Sequence, residues 1–130
     1  MGLISLSIQA ALIVIVVVAA CLARWRRNFR AHCLVMRVAV PLQIAAVAFT
    51  MWSPLTAYVR AAPFGLFFNF ELLVHHGLGL VTIVLWLYIN LVFLGVARLW
   101  GRLKPLMWAA FFSWLAAFLI GLHIYSMLWV

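Results

Sequence analysis

The stretch Leu72–Ala97, LLVHHGLGLVTIVLWLYINLVFLGVA, has 26 residues and contains no Asp, Glu, Lys or Arg. A bilayer core of about 30 Å is crossed by roughly 20 helical residues at about 1.5 Å each. Lipid offers no hydrogen-bond partner to a bare backbone, and the stretch lacks the alternation of a barrel strand. It is therefore predicted to be a transmembrane helix.

Three further stretches of the chain are uncharged and long enough to cross a bilayer once. They are Met1–Ala23, Val38–Val59 and Pro105–Val130. We therefore predict an all-α fold, a four-helix transmembrane bundle that forms a single integral membrane domain over residues 1–130. The predicted spans cover about residues 3–23, 36–59, 72–97 and 105–129.

The composition excludes a soluble domain and a disordered chain. The 130 residues are 71% hydrophobic and 8% charged, whereas a typical soluble domain is about 45–50% apolar and about 25% charged. A globule of this size could not hide so much apolar surface from water. We predict a multi-pass protein of a prokaryotic-type cytoplasmic membrane, with the lipid bilayer as its first partner.

The positive charges predict the orientation of the bundle. The chain has nine Lys and Arg and a single acidic residue, Glu71. Eight of the nine basic residues lie between spans one and two or between spans three and four: Arg24, Arg26, Arg27, Arg30, Arg37, Arg98, Arg102 and Lys104. By the positive-inside rule these connections face the cytoplasm and both termini lie outside. Because the charges separate apolar runs, we predict no nucleic-acid partner.

The outer connection, Arg60–Phe70, reads RAAPFGLFFNF. Pro63 and Gly65 predict a turn, and the four phenylalanines predict burial in the membrane interface. We therefore expect a short segment that lies on the outer surface or folds back on the bundle.

Four ionisable residues lie within or at the margin of a predicted span: Glu71, His75, His76 and His123. Such residues are costly in a membrane and favour a functional role. His75 is about 5 Å below the start of span three, and His123 is about 10 Å from the end of span four. Both lie in the outer half of the membrane, so their imidazoles can face one another if the two helices are neighbours.

One chemistry that fits is haem b held by His123 and by His75 or His76, because neutral imidazole is a good axial ligand. Since neighbouring residues on a helix point about 100° apart, one of the adjacent pair is expected to face the site. Three glycines near these histidines would leave room for a porphyrin: Gly77, Gly79 and Gly121.

A second chemistry is a smaller metal site. Glu71 and His75 are four residues apart, as are His123 and Met127, so each pair shares a helix face. Carboxylate, imidazole and thioether together could hold copper or iron. The third alternative is a chain without any cofactor, in which Glu71 pairs with Arg60. No catalytic triad, phosphate-binding glycine loop or Cys-x-x-Cys motif is present, so an enzyme is not predicted.

Span four contains small residues at steps of four, which predict close helix contact: Ala109, Ser113, Ala117 and Gly121. Gly77 and Gly79 are expected to act similarly in span three. Gln43 and Asn90 lie at comparable depths, so we predict a hydrogen bond between them. The deep tryptophans, Trp86 and Trp114, are predicted to pack rather than to bind a cofactor.

Several short motifs are similar to those of a known family. Asn28–Met36, NFRAHCLVM, contains the pattern Asn-x-x-x-His-x-x-x-Met at Asn28, His32 and Met36. A Pro-Phe-Gly turn follows at Pro63–Gly65, and the next helix opens with His75. Together with a Trp- and Tyr-rich last helix, these motifs resemble the CtaM/YozB-like four-helix membrane family, over about nine-tenths of the chain.

That resemblance implies a link to the assembly or activity of haem–copper terminal oxidases. It implies an accessory or assembly subunit of a membrane-bound respiratory or oxidative metalloenzyme, with other integral membrane subunits as partners. It also adds His32 to the candidate metal ligands. The alternative is a small bis-histidine cytochrome b that transfers electrons within the membrane. The chain departs from the family at Tyr58–Arg60 and at Leu103–Lys104, where members often have histidine, and His123 is not part of the family pattern.

Overall fold

The computed structural model is all-helical over the residues that it describes, which are 2–61 and 65–129; the side chains at 2, 3, 5, 51, 53–55, 57–61, 128 and 129 are not described. The four helices are α1 (Gly2–Trp25), α2 (Phe29–Ala61), α3 (Leu66–Phe93) and α4 (Leu103–Trp129). Each contains a segment long and apolar enough to cross a membrane. The prediction of an all-α chain with four such helices is confirmed.

The chain divides into two compact units, Met1–Ala61 and Ala62–Val130. In each unit two consecutive helices pack against one another after a short connection. We call the pair α1 and α2 hairpin 1, and the pair α3 and α4 hairpin 2.

Two helices begin earlier than the predicted spans. Helix α2 starts at Phe29, where the side chain of Asn28 caps it: Asn28 Oδ1 accepts a hydrogen bond from the backbone N–H of Ala31 at 3.1 Å. Helix α3 starts at Leu66 after an extended Gly65, so the segment predicted to lie on the surface is helical from Leu66 onward. Charge and turn signals mark the edge of the hydrocarbon, and a helix can continue past that edge. Pro63 and Phe64 of the predicted turn lie outside the described residues.

Hairpin 1 has an aliphatic contact surface. Its buried residues follow the three-and-four spacing of packed helices: Leu12, Val16 and Ala19 on α1, and Ala39, Val40 and Gln43 on α2. Gln43 Nε2 donates a hydrogen bond to Gln9 Oε1 across this surface. Asn90, which was predicted to bond Gln43, donates from Nδ2 to the backbone carbonyl of Trp86 in its own helix at 2.9 Å, and the bond between Gln43 and Asn90 stays a prediction.

Hairpin 2 has an aromatic centre. Trp86 and Trp114 are each 4% exposed, and their rings meet edge to face with centroids 4.7 Å apart. Other buried residues extend the contact along both helices: Thr82, Ile89, Ala110, Ala117 and Ile124. The prediction that the two deep tryptophans pack is confirmed.

The predicted stripe of small residues is correct in part. Ala117 is buried and Gly121 lies against α3, but Ala109 is exposed and its neighbour Ala110 takes the buried position. Gly77 and Gly79 do not lie in the contact with α4, because a Cβ at either position would meet nothing within 4 Å, and their approach to another helix stays a prediction. A step of four residues drifts around a helix with 3.6 residues per turn, so a fixed step does not stay on one contact face.

The connection between α3 and α4 is an ordered loop, Leu94–Arg102, which we call the α3–α4 loop. Gly95, its second residue, has φ 73°. The N–H of Gly95 donates to the carbonyl of Val92, and the N–H of Val96 donates to the carbonyl of Leu91. Glycine tolerates this left-handed conformation, and the two bonds satisfy carbonyls at the helix end.

Candidate functional site

His75 lies in the contact between α3 and α4. Its Nδ1 is 2.8 Å from the backbone oxygen of Ala117. A carbonyl oxygen only accepts hydrogen bonds, so Nδ1 carries the proton and donates it. The neutral ring then keeps Nε2 as its acceptor nitrogen. Of the two adjacent histidines, His75 is thus the one that faces α4.

The ring of His75 fills the space that Gly121 leaves on α4. A Cβ at position 121 would lie 2.8 Å from His75 Cε1 and 3.3 Å from its Nδ1. The expectation that Gly121 makes room for a porphyrin is therefore wrong, because the imidazole already occupies that room. Gly77 and Gly79 face open space instead of α4.

Glu71 and His123 form the second polar contact between the two helices. Glu71 Oε1 is 3.2 Å from His123 Nδ1, and the side chains are 18% and 50% exposed. The second carboxylate oxygen, Oε2, is buried and has no hydrogen-bond partner in the described part of the chain. The alternative partner predicted for Glu71, Arg60, has a side chain outside the described residues.

His76 differs from His75 in its surroundings. Its Nδ1 is 2.7 Å from the backbone oxygen of Leu72, one turn earlier in α3, and its Nε2 is buried without a hydrogen-bond partner among the residues described. The rings of His75 and His76 are perpendicular, with centroids 5.4 Å apart. In all three histidines of hairpin 2, Nδ1 therefore contacts an oxygen atom of the hairpin, and Nε2 takes no part in that contact. Histidines that bind metals have their ring orientation fixed in this way.

The residues predicted for a metal site are only partly brought together. Glu71 and His123 are in contact, whereas Met127 is 63% exposed. His32 lies half-buried in hairpin 1, and its Nδ1 is buried without a hydrogen-bond partner in the described residues. Within residues 2–61 and 65–129, no group of three or more His, Cys, Asp or Glu side chains is arranged to hold a metal ion. The structure thus offers no support for the copper alternative.

One polar feature of hairpin 2 was missed in the sequence. The backbone oxygen of Leu78 accepts hydrogen bonds from two hydroxyls, Thr82 Oγ1 at 2.8 Å and Ser113 Oγ at 3.3 Å. Thr82 and Ser113 are hydroxyl residues in apolar helices, and such residues commonly bond across membrane helices. The sequence contains this signal, but the prediction for span four uses only the small size of Ser113.

Comparison with known proteins identifies no relative: no family model, no curated protein and no solved structure matches the chain. The resemblance to the CtaM/YozB-like family therefore depends on the short motifs alone.

Proposed function

We propose that the chain is an accessory or assembly subunit of a membrane-bound respiratory or oxidative metalloenzyme and does not itself catalyse a reaction. The observation that carries this proposal is an aromatic patch on α4, formed by Trp108, Phe111 and Phe112. Trp108 and Phe112 stack with centroids 5.4 Å apart and planes 22° apart, and they are 49% and 57% exposed. Aromatic side chains are enriched at the centres of protein interfaces. The patch therefore supports docking against helices of another subunit.

The type of complex is inferred from the short motifs, which resemble those of a family linked to haem–copper oxidases.

The alternative, a bis-histidine cytochrome b, is less well supported. Its ligands were predicted on facing helices, but His75 bonds Ala117 and His123 bonds Glu71. The ring of His75 also occupies the space beside Gly121 that a porphyrin would need.

We also propose that both termini lie outside the cytoplasm. The turn of hairpin 1 contains Arg26 and Arg27, and that of hairpin 2 contains Arg98 and Arg102. Both turns follow the positive-inside rule if they face the cytoplasm. A tag on the C-terminus should then be accessible only from the outside. A tag that is accessible only from the cytoplasm would reject this orientation.

The docking proposal is tested by purifying the tagged chain from its native membranes in mild detergent. We expect it to co-purify with other integral membrane subunits and to show no haem absorption when isolated from them. The double substitution Trp108→Ala and Phe112→Ala should reduce the recovered partner about tenfold, a loss typical of an interface hot spot. Leu119→Ala is the matched control, because Leu119 is also an exposed residue of α4, at 55%.

Two results would contradict the proposal. One is a chain that purifies alone from native membranes, with the control and the double variant indistinguishable. The other is a reducible Soret and α band in the isolated chain that disappears in His123→Ala, which would favour the cytochrome.

A further inference from the structure

The α3–α4 loop is held in one shape by the side chain of Tyr88. The hydroxyl of Tyr88 donates a hydrogen bond to the backbone oxygen of Arg98 at 3.0 Å and accepts one from the backbone N–H of Trp100 at 2.8 Å. Gly95 and Gly101 adopt left-handed conformations on either side of this clamp, with φ of 73° and 87°. The loop is therefore ordered, although it consists of nine residues without regular structure.

Three cations surround this clamp without an acidic partner. Arg98, Arg102 and Lys104 are exposed. The only acidic residue of the chain, Glu71, contacts His123 near the opposite ends of the two helices. The positive charge of the loop therefore needs a counter-ion from outside the chain.

The surroundings of these cations indicate what supplies the negative charge. Trp100 is 83% exposed and Val96 is 73% exposed, and the loop joins two helices that are apolar enough to span a membrane. An indole beside cations at the end of a membrane helix is typical of the level of the lipid headgroups. A phosphate in that layer is the nearest anion, and arginine binds phosphate oxygens in a defined geometry.

We propose that the α3–α4 loop is a binding site for the headgroup of an anionic phospholipid. Arg98 and Arg102 bind the phosphate, and Lys104 adds positive charge. Trp100 inserts beside the part of the acyl chains nearest the headgroup. The clamp made by Tyr88 holds the backbone between the two arginines, so the site has a fixed shape beyond its charge. This inference does not depend on the proposed function.

The test uses the full chain in vesicles that contain photo-activatable phosphatidylglycerol or photo-activatable phosphatidylcholine with the same acyl chains. Labelled peptides are quantified by mass spectrometry. We expect the peptide that contains Trp100 to be labelled about tenfold more by phosphatidylglycerol, because each nearby basic residue strengthens binding to anionic lipid. The preference should fall as salt is raised.

Two variants separate shape from charge. The substitution Tyr88→Phe removes both hydrogen bonds and retains all the charges, and it should reduce the preference about threefold, since lost order weakens headgroup binding. The triple substitution Arg98→Gln, Arg102→Gln and Lys104→Gln should abolish the preference. The matched control, Arg24→Gln, Arg26→Gln and Arg30→Gln, changes the basic turn of hairpin 1 and should leave labelling at Trp100 unchanged.

Several results would overturn the inference. Equal labelling of the unmodified chain by the two lipids excludes a site for anionic lipid, whether or not any variant folds. Full preference in the triple variant excludes these three cations. Unchanged labelling in Tyr88→Phe excludes a site of fixed shape.

Discussion

Hairpin 1 and hairpin 2 are similar in size, yet they are held together differently. In hairpin 1 most of the buried residues are aliphatic, and Gln9 and Gln43 are hydrogen-bonded across the contact. In hairpin 2 hydrogen bonds join the two helices at three levels: Glu71 to His123, His75 to Ala117, and Ser113 to Leu78. Hydrogen bonds are directional, so several of them along a helix pair fix the position of one helix along the other. Contacts between methyl groups are not directional and fix that position weakly.

This difference indicates where function is to be sought. Hydrocarbon penalises polar groups, so a helix pair that needs only to be stable can be built as hairpin 1 is built. Hairpin 2 contains three histidines and the only carboxylate of the chain. Buried acceptors without hydrogen-bond partners in the described residues occur in both hairpins, His32 Nδ1 in hairpin 1 and Glu71 Oε2 in hairpin 2 among them, so the number of ionisable side chains is what distinguishes hairpin 2.

The largest expected effect on the free energy of unfolding is at the aromatic centre of hairpin 2. We expect Trp114→Ala to destabilise the chain by about 3–5 kcal/mol, because it removes the ring packed on Trp86 and leaves a cavity. The measurement is unfolding in detergent micelles titrated with sodium dodecyl sulfate. The control, Trp100→Ala, alters a ring that is 83% exposed and should have little effect on unfolding. Equal losses in the two variants would show that the Trp86–Trp114 contact is not central.

The next effect concerns the fit of His75 against Gly121. Gly121→Ala places a Cβ 2.8 Å from His75 Cε1, and this overpacking should cost about 1–3 kcal/mol. Gly77→Ala is the matched control, because its Cβ meets nothing within 4 Å and alanine favours helix. Adding His75→Ala to Gly121→Ala should recover part of the loss. An additive double variant would mean that the two residues are not in contact.

A smaller effect is expected in hairpin 1. Gln43→Leu removes the hydrogen bond to Gln9 and should cost about 1 kcal/mol or less, the usual value for a hydrogen bond between membrane helices. The double variant Gln9→Leu and Gln43→Leu should be as stable as the unmodified chain, because neither amide remains to be satisfied. A double variant that loses more than either single variant would contradict this explanation.

The smallest effect is expected at Glu71 and His123. His123 is half exposed, so the net contribution of the pair should lie below about 1 kcal/mol. A double-mutant cycle with Glu71→Gln and His123→Gln measures the coupling energy directly. A coupling energy well above this value would show that the pair is shielded from water and stabilises the contact between α3 and α4.

The sequence predicts the helices well and their contacts poorly, for a physical reason. Long uncharged runs such as Leu72–Ala97 indicate that the segment lies in lipid. The backbone there must satisfy its own hydrogen bonds, so the segment forms a helix. The face that each helix presents is a weaker signal, because lipid and protein interior are both apolar. Ala109 and Ala110 look alike in the sequence, and only the second is buried.

The site was predictable in its residues and not in its pairings. The cost of placing ionisable groups in a membrane directs attention to Glu71, His75, His76 and His123 from the sequence alone. Their partners include two backbone oxygens, those of Ala117 and Leu72, and every residue has a backbone oxygen. The pattern of side chains in the sequence therefore does not reveal that the ring of His75 fills the space beside Gly121.

Because Glu71 is the only acidic residue of the chain, the protein contains a natural chemical reporter. A protonated carboxyl group adds to a lipid-soluble carbodiimide, so the acyl adduct of a side chain of this protein forms at one position, and peptide mapping separates it from adducts at cysteine or tyrosine. The rate of that reaction, followed in intact membranes, would record when His123 releases its oxygen, without any label or substitution.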